Sequence, residues 1–487
     1  MKIIIFINKN SIVKILIQSN LTYILLIRPL ICRVIKDKYL THNYYDGDIM
    51  ILGVFEDTRI EYFYPLAYMR PVYDLRNGMY SNRDRIYRLL KPERLFLYMR
   101  DYLAPFVEWR ITTEEKKTNI YVNKIGRVDD DIILINGRLV LSEDTWNSIK
   151  TFCEKEGDIA VMKDEDIVAL KLTEKTMREN ETRFLKPVSS KIVSELGLTT
   201  YRLDNVFMLN YPWDIVLTNT ELLKEDISRE YSGKEIEGEI DPSVTIYGDP
   251  KNLYVAKNAS VEAYTVIDVR HGPVYIGGET IVQPGCRIEG PTYIGKDTRI
   301  IGGAQLREGS NIGDVCRVGG EFEEAIMHGY SNKYHAGFIG HAYIGEWVNI
   351  GAMTTNSDLK DTYGTVKVVL KGEKIDTGSI KVGSFIGDMT KTSIGVLIYT
   401  GKVIGVSAHL HGLIWENVPS FTIYARSLGA EPVELYLDSV ITTHRRVKGR
   451  RKKELPQCEI DLIKKIFELT EEERRKAGVK KGRFSLG

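Results

Sequence analysis

Four residues with acid–base and binding chemistry, Lys333, His335, Asn349 and Asn356, fall within one stretch, SNKYHAGFIGHAYIGEWVNIGAMTTNSDLK at 331–360. A neutral imidazole can take a proton from an attacking nucleophile near pH 7. Side-chain amides can hold a polar substrate or donate to a developing oxyanion. Lys333 and, upstream, Arg317 would attract a phosphate. The same stretch allows a metal reading, because His328, His335 and His341 lie within 14 residues and three imidazoles suit zinc. Their spacing demands convergence from three separate strands, so a general base at His335 is the stronger expectation. Trp347 and Tyr343 read as packing residues.

A second set lies nearer the N-terminus. Glu56 and Asp57 stand in VFED, Arg70 in PLAYMRP, Arg76 and Gly78 in DLRNG, Asn136 and Arg138 in INGR, and Asp214 in YPWD. Guanidinium forks and a flexible glycine backbone match phosphate oxygens. Ion pairing with neighbouring acids is the competing role for these arginines, and Trp213 reads as core.

Two kinds of scaffold must position these groups. Ile276, Val282, Ile288, Ile294, Ile300, Leu306, Ile312 and Val318 recur every six residues. That period fits neither an α-helix nor a hairpin meander, and it predicts a left-handed parallel β-helix with the apolar residue pointing inward. Breaks are expected at 319–337 and 353–378, with Phe338, Ile344 and Ile350 keeping the period between them and Ile380, Ile386, Thr392, Ile398 and Ile404 resuming it. Upstream, MILGVF, NIYVNKI and DIILINGRLVL read as strands, and residues 84–104 and EDTWNSIKTFCEKEG as helices, an alternation that predicts an α/β domain. The expected division is an extension at 1–49, an α/β domain at 50–228, a polar linker at 229–243, a β-helix at 244–425 and a basic, then helical, tail at 426–487 that caps the last coil.

The chain of 487 residues is 43% apolar and 27% charged with a net charge of +1, which argues against bulk electrostatic binding of nucleic acid or anionic lipid. Five scattered cysteines, none in a CxxC pair, suit a reducing, cytoplasmic compartment. The apolar 1–49 segment is interrupted by Asn8, Lys9, Asn10, Lys14, Gln18 and Asn20, short of the roughly 20 residues needed for a stable membrane span.

The 331–360 stretch resembles the acetyltransferase half of the bifunctional N-acetylglucosamine-1-phosphate uridylyltransferase/glucosamine-1-phosphate acetyltransferase family. Lys333 and His335 fall on its K-x-x-H-x-x-Y-x-G segment, with Phe338 in place of Tyr, and Asn349 and Asn356 fall on its V-N-I-G-A-G-T segment and the Asn beyond. The motifs FED, PLAYMRPVYDLRNG, INGR and YPWDIV resemble a divergent branch of the sugar-phosphate nucleotidyltransferases. The resemblance implies a Rossmann-like nucleotidyltransferase head before the β-helix. It also implies Mg²⁺, an NTP (UTP or dTTP), a sugar 1-phosphate and acetyl-CoA as partners, and a homotrimer. Asp214 falls near that family's second metal ligand, whereas Arg138 stands where the family has a metal-binding Asp. The rival readings are an acyltransferase with a non-catalytic nucleotide-sugar-binding head, a metal-dependent hydratase of the hexapeptide-repeat type, and a non-catalytic scaffold.

Overall fold

Strand β1 (Ile51–Phe55) is buried along its whole length, and a strand without a polar face must be covered on both sides. In the computed structural model, which describes residues 50–485, it lies inside a seven-stranded sheet. It pairs in parallel with β2 (Arg94–Leu97) and β4 (Ile132–Asn136), and β3 (Ile120–Val122) extends the sheet beyond β2. Strand β5 (Ile159–Lys163) and β6 (Asp166–Leu172) form the expected hairpin, β6 lying antiparallel to β4, and β7 (Thr199–Arg202) closes the far edge beside β5. The extension at 1–49 lies outside the described residues.

Helix α1 spans only Asn82–Leu90, ending where Lys91 turns left-handed at φ 45°. Leu95 and Leu97, expected to continue it, enter β2 instead, because parallel pairing with β1 buries that run on both faces. Helices α2 (Ala104–Trp109), α3 (Glu143–Cys153) and α4 (Pro212–Tyr231) cover the sheet and its neighbours. Proline in the first turn of α4 and Asp214 as an N-terminal cap set where that helix begins.

From Glu239 onward the chain coils into three stacks of parallel strands. All eight sixfold-spaced apolar residues are fully buried, and coil-to-coil register places Ile276, Ile294 and Ile312 directly over one another. Buried hydroxyls at the corners bind the next coil: Thr280 donates to the Gly295 carbonyl at 2.7 Å and Thr298 to that of Gly313 at 3.0 Å. Glycine is required at such corners. A Cβ on Gly313 would stand 1.9 Å from the His328 carbonyl oxygen.

Three expectations about the period are corrected. The 319–337 segment does not leave the coil, since Glu321–Glu323, Ile326–Gly329 and Asn332–Lys333 continue all three stacks. This coil is shorter, so the inward phase slips by one residue: Ile339, not Phe338, follows Leu306 and Phe322 in the stack. Ile380 is 49% exposed and does not resume the stack. The second break is a true excursion, in which Lys367–Leu370 and Glu373–Asp376 form an antiparallel hairpin. Its Val366, Val368 and Leu370 pack with Ile60, Phe63, Leu66 and Trp213 of the head. Two C-terminal helices, α5 (Leu437–Gly449) and α6 (Gln457–Leu469), pack with head residues and with Val406 and Phe421 of the last coils. Among the described residues no helix is long and apolar enough to cross a membrane.

Truncating an inward residue leaves a cavity, whereas truncating an exposed one does not. Ile339→Ala should therefore cost about 2–5 kcal/mol and Ile380→Ala no more than about 0.5 kcal/mol, read from urea midpoints. The reverse order would restore the unslipped period.

Candidate functional site

Parallel α/β sheets bind ligands beyond the carboxyl ends of their strands, and the first residues past β1 and β4 are Glu56, Asp57, Gly137 and Arg138. Arg100 forks onto Glu56 at 2.9 and 3.0 Å, and the Val72 N–H donates to the same carboxylate at 2.9 Å. Asp57 accepts from Arg138 at 2.6 Å and from Asn136 at 2.8 Å, while Asp166 lies 3.0 Å from the same guanidinium. Arg138 is fully buried. Glu56, Asp57, Asn136 and Arg138 thus come together at the strand ends, but already matched: Glu56 by Arg100, and Asp57 by Arg138 and Asn136. The segment 58–81 lies against them: a Cβ on Gly137 would meet Tyr73 at 2.5 Å.

Arg70, Arg76 and Gly78 face the β-helix. Arg70 Nη2 lies 2.8 Å from Asp388 and 3.2 Å from Glu346. Glu346 also receives the fork of Arg110 at 3.2 and 3.3 Å and lies 3.3 Å from His328 Nδ1. Burial would raise the Glu346 pKa, but Arg110 and Arg70 outweigh it and hold the carboxyl well below its usual range. The Arg76 N–H donates to the Tyr343 hydroxyl at 2.9 Å, and its guanidinium sits 5.0 Å over the Tyr293 ring. Asn311 donates to the Gly78 carbonyl at 2.7 Å.

Asp214 accepts the N–H groups of Asn210 and Tyr211 at 2.7 and 3.0 Å. Burial pushes its pKa up, and those two bonds only partly oppose it. Glu56, Asp57 and Asp214 therefore do not fit Mg²⁺, which needs one or two available charged oxygens. Asp57 is matched by Arg138, and Asp214 is committed to its helix. Among the described residues no cluster of three or more His, Cys, Asp or Glu is arranged for a metal.

In the β-helix the four residues of the 331–360 stretch separate. Lys333 occupies an inward position between Val318 and Ile350 and is 1% exposed. Its ammonium donates to the carbonyls of Gly319 at 2.7 Å and His335 at 3.1 Å, and burial pulls its pKa down to about 8. Asn356 is fully buried and bonded in both directions to the Gly340 backbone at 3.0 and 2.9 Å. His335 and Asn349 are exposed. Lys333 thereby fixes the backbone on which His335 stands. The three imidazoles have three different settings. His328 is in the Glu346 junction. His341 lies 2.8 Å from Asp358 and 3.2 Å from Glu324; burial lowers its pKa, but these two partners outweigh it and raise it to about 9. Arg317 donates to the Asp297 and Cys316 carbonyls at 2.6 and 2.8 Å.

A cavity of about 220 Å³ opens beside Asn349, between the coil and the end of α5. Tyr330, Asn332, Trp347, Asn349, Lys391, Val447, Arg450 and Arg451 line it. Lys391, Arg450 and Arg451 are not among the residues expected from the sequence: the run THRRVKGRRKK holds the two arginines but is expected only as a cap, and Lys391 lies outside it.

Residues 52–235 match the family described as sugar nucleotidyl transferase. The bifunctional sugar-1-phosphate nucleotidylyltransferase/acetyltransferase of Sulfurisphaera tokodaii is 39% identical over 89 residues, 18% of this chain and 22% of that one. The bifunctional protein GlmU of Heliobacterium modesticaldum is 28% identical over 204 residues, 37% of this chain and 40% of that one. The chain thus matches well under half the length of either relative. A putative glucose-1-phosphate thymidylyltransferase structure from Bacillus anthracis is 12% identical with a TM-score of 0.26, over 36% of this chain and 96% of that one. The chain resembles a divergent member of the bifunctional nucleotidyltransferase/acetyltransferases, with an α/β head and a parallel β-helix.

Breaking a buried ion pair strands its partner. Arg70→Met should cost about 3–5 kcal/mol of unfolding free energy, and an unchanged urea midpoint would remove the junction from the account of stability. Lys333 gives a pH signature. Its folded pKa of about 8 lies below its usual 10.5, so between those values the unfolded chain binds the extra proton and stability rises with pH. The rise from pH 8 to 10 should be smaller in Lys333→Met; an equal rise would show that the lysine is not the group titrating.

Proposed function

We propose that the chain is a two-part enzyme of sugar-nucleotide synthesis. The β-helix transfers an acetyl group from acetyl-CoA to the amine of an amino-sugar phosphate. The head couples a sugar 1-phosphate to an NTP, UTP or dTTP, with release of pyrophosphate. The observation that carries the reading is the setting of His335: an exposed imidazole on a coil corner whose backbone carbonyl is held by buried Lys333. In the transfer, His335 removes the amine proton as nitrogen attacks the thioester carbon. The carbon–sulfur bond then breaks and CoA leaves as its thiol. Asn349, exposed on the adjoining coil, is placed to hold the sugar, and Lys333 acts as a positioning residue.

The nucleotidyl half of the proposal rests on the family match over residues 52–235. A second reading, in which the head only binds a nucleotide sugar, is favoured by the ion pairs that occupy the crevice. Association of copies belongs to the proposal as well. Corner residues Met353 and Ile394 are 62% and 79% exposed, and they stand on the coils stacked over Ala336, beside His335. A homotrimer that covers them would place His335 between subunits, and buried, unpaired cysteines at 153, 286 and 316 suit a cytoplasmic enzyme.

The test supplies the full chain with glucosamine 1-phosphate and acetyl-CoA, then UTP with and without Mg²⁺, following thiol and pyrophosphate separately. His335→Ala should lower thiol release by about 10²–10⁴-fold and leave pyrophosphate release unchanged. Thiol release without pyrophosphate, across a panel of NTPs, would select the binding-module reading of the head. Full thiol release by His335→Ala would refute the assigned base.

A further inference from the structure

Lys333 and Arg317 were the cations expected to attract phosphate, and neither is free to do so. Lys333 points into the prism, and Arg317 is occupied by backbone carbonyls. If the β-helix acts on a phosphorylated sugar with a phosphorylated donor, charge must come from elsewhere.

The cavity beside Asn349 has that charge. Three of its eight lining residues, Lys391, Arg450 and Arg451, are cationic and none is acidic. Arg451 Nη2 donates to Asn332 at 2.6 Å, while its Nε is buried without a hydrogen-bond partner. The Lys391 ammonium donates to its neighbour's carbonyl, that of Met389, at 2.7 Å. Burial depresses both pKa values, and for Arg451 the positive charges of Arg317 and Arg450 add to the effect. Nearby acids are committed elsewhere: Asp297 to Arg317, Glu114 to Lys453, and Glu459 to Lys448 and His444. Part-buried Lys391 and Arg451 share the cavity without an acid among its lining, which is unfavourable unless an anion joins them, and exposed Arg450 adds a third positive charge. Asn332 and Asn349, in register on adjacent coils, add amides that suit hydroxyl groups.

We infer that this cavity is a phosphate site, in which Arg450 and Arg451 of the C-terminal segment and Lys391 of the coil anchor a phosphorylated substrate of the β-helix. The chemistry is a phosphate ester carried on a hydroxylated ring. Two substrates have it: the amino-sugar 1-phosphate and the ribose 3′-phosphate end of CoA. The inference rests on the acetyl-transfer reading for the identity of the substrate, but not for the presence of the site.

Titration calorimetry on the full chain, with inorganic phosphate, glucosamine 1-phosphate and CoA as separate probes, tests it. Each should be measured against the native chain, Arg450→Gln/Arg451→Gln, Lys391→Met and, as a control distant from the cavity, Lys464→Gln. Charged hydrogen bonds are worth enough that affinity for the anchored probe should fall about tenfold or more in the first two variants, with no change in the control. The probe that loses affinity identifies the source, and inorganic phosphate should compete with it. Native affinity for all three probes in both variants, or no binding of any probe to the native chain, would overturn the inference. A thermal melt on each variant excludes misfolding as the cause. Binding that depends on the arginines in a protein without acetyl transfer would keep the site and refute the function.

Discussion

Glu346 is a carboxylate taken out of water between two parts of one chain, and the arrangement of both parts depends on its being matched. Arg70 reaches it from the segment that covers the head's strand ends, Arg110 from beyond α2, and His328 from the preceding coil. Moving a charge into a low-dielectric interior costs several kcal/mol, which is recovered only when geometry and hydrogen bonding are good. A junction of this kind contributes orientation more than stability. Once Arg70 is drawn to Glu346 and Asp388, the loop 58–81 has one position, and that position lies over Glu56, Asp57 and Arg138.

The same junction explains how far the sequence could be read. The β-helix was legible because its signal is local: an inward isoleucine six residues from the next needs no knowledge of distant partners. The reading slipped at Phe338, where a shortened coil moved the inward position by one residue. It also slipped at Leu95 and Leu97, where helical spacing coincided with a short parallel strand. His335 and Asn349 were found with their side chains exposed. Lys333 and Asn356 share the motif but point inward, a difference of face that spacing alone does not encode. The roles of Arg70 and Arg76 were beyond local pattern altogether. Arg70 bonds a residue 318 positions away, and nothing in PLAYMRP marks its guanidinium as bound for a carboxylate of the coil.

Lys333 links interior and surface. A lysine inside an otherwise apolar prism would be costly if its ammonium were unbonded, and it donates to two carbonyls, one belonging to the residue proposed as the base. The corner carrying His335 is held from within, while the coil's outer side, with Asn332, Asn349 and Lys391, meets the C-terminal helix. One short run of backbone therefore serves packing on one side and chemistry on the other.

The hairpin at 367–376 has a consequence for how the two parts are inherited. Val366, Val368 and Leu370 join an apolar cluster with Ile60, Phe63, Leu66 and Trp213 of the head and Ile326, Tyr343 and Phe385 of the coil, so beside the core inside the prism and the one within the head a further core is shared by both. Two-domain enzymes can exchange modules by recombination when the seam between them is polar and thin. Here the seam is itself a core. A foreign head joined to this β-helix would leave Val366, Val368 and Leu370 facing water. The two parts must therefore mutate in concert and melt as one cooperative body, whatever the separateness of their chemistries.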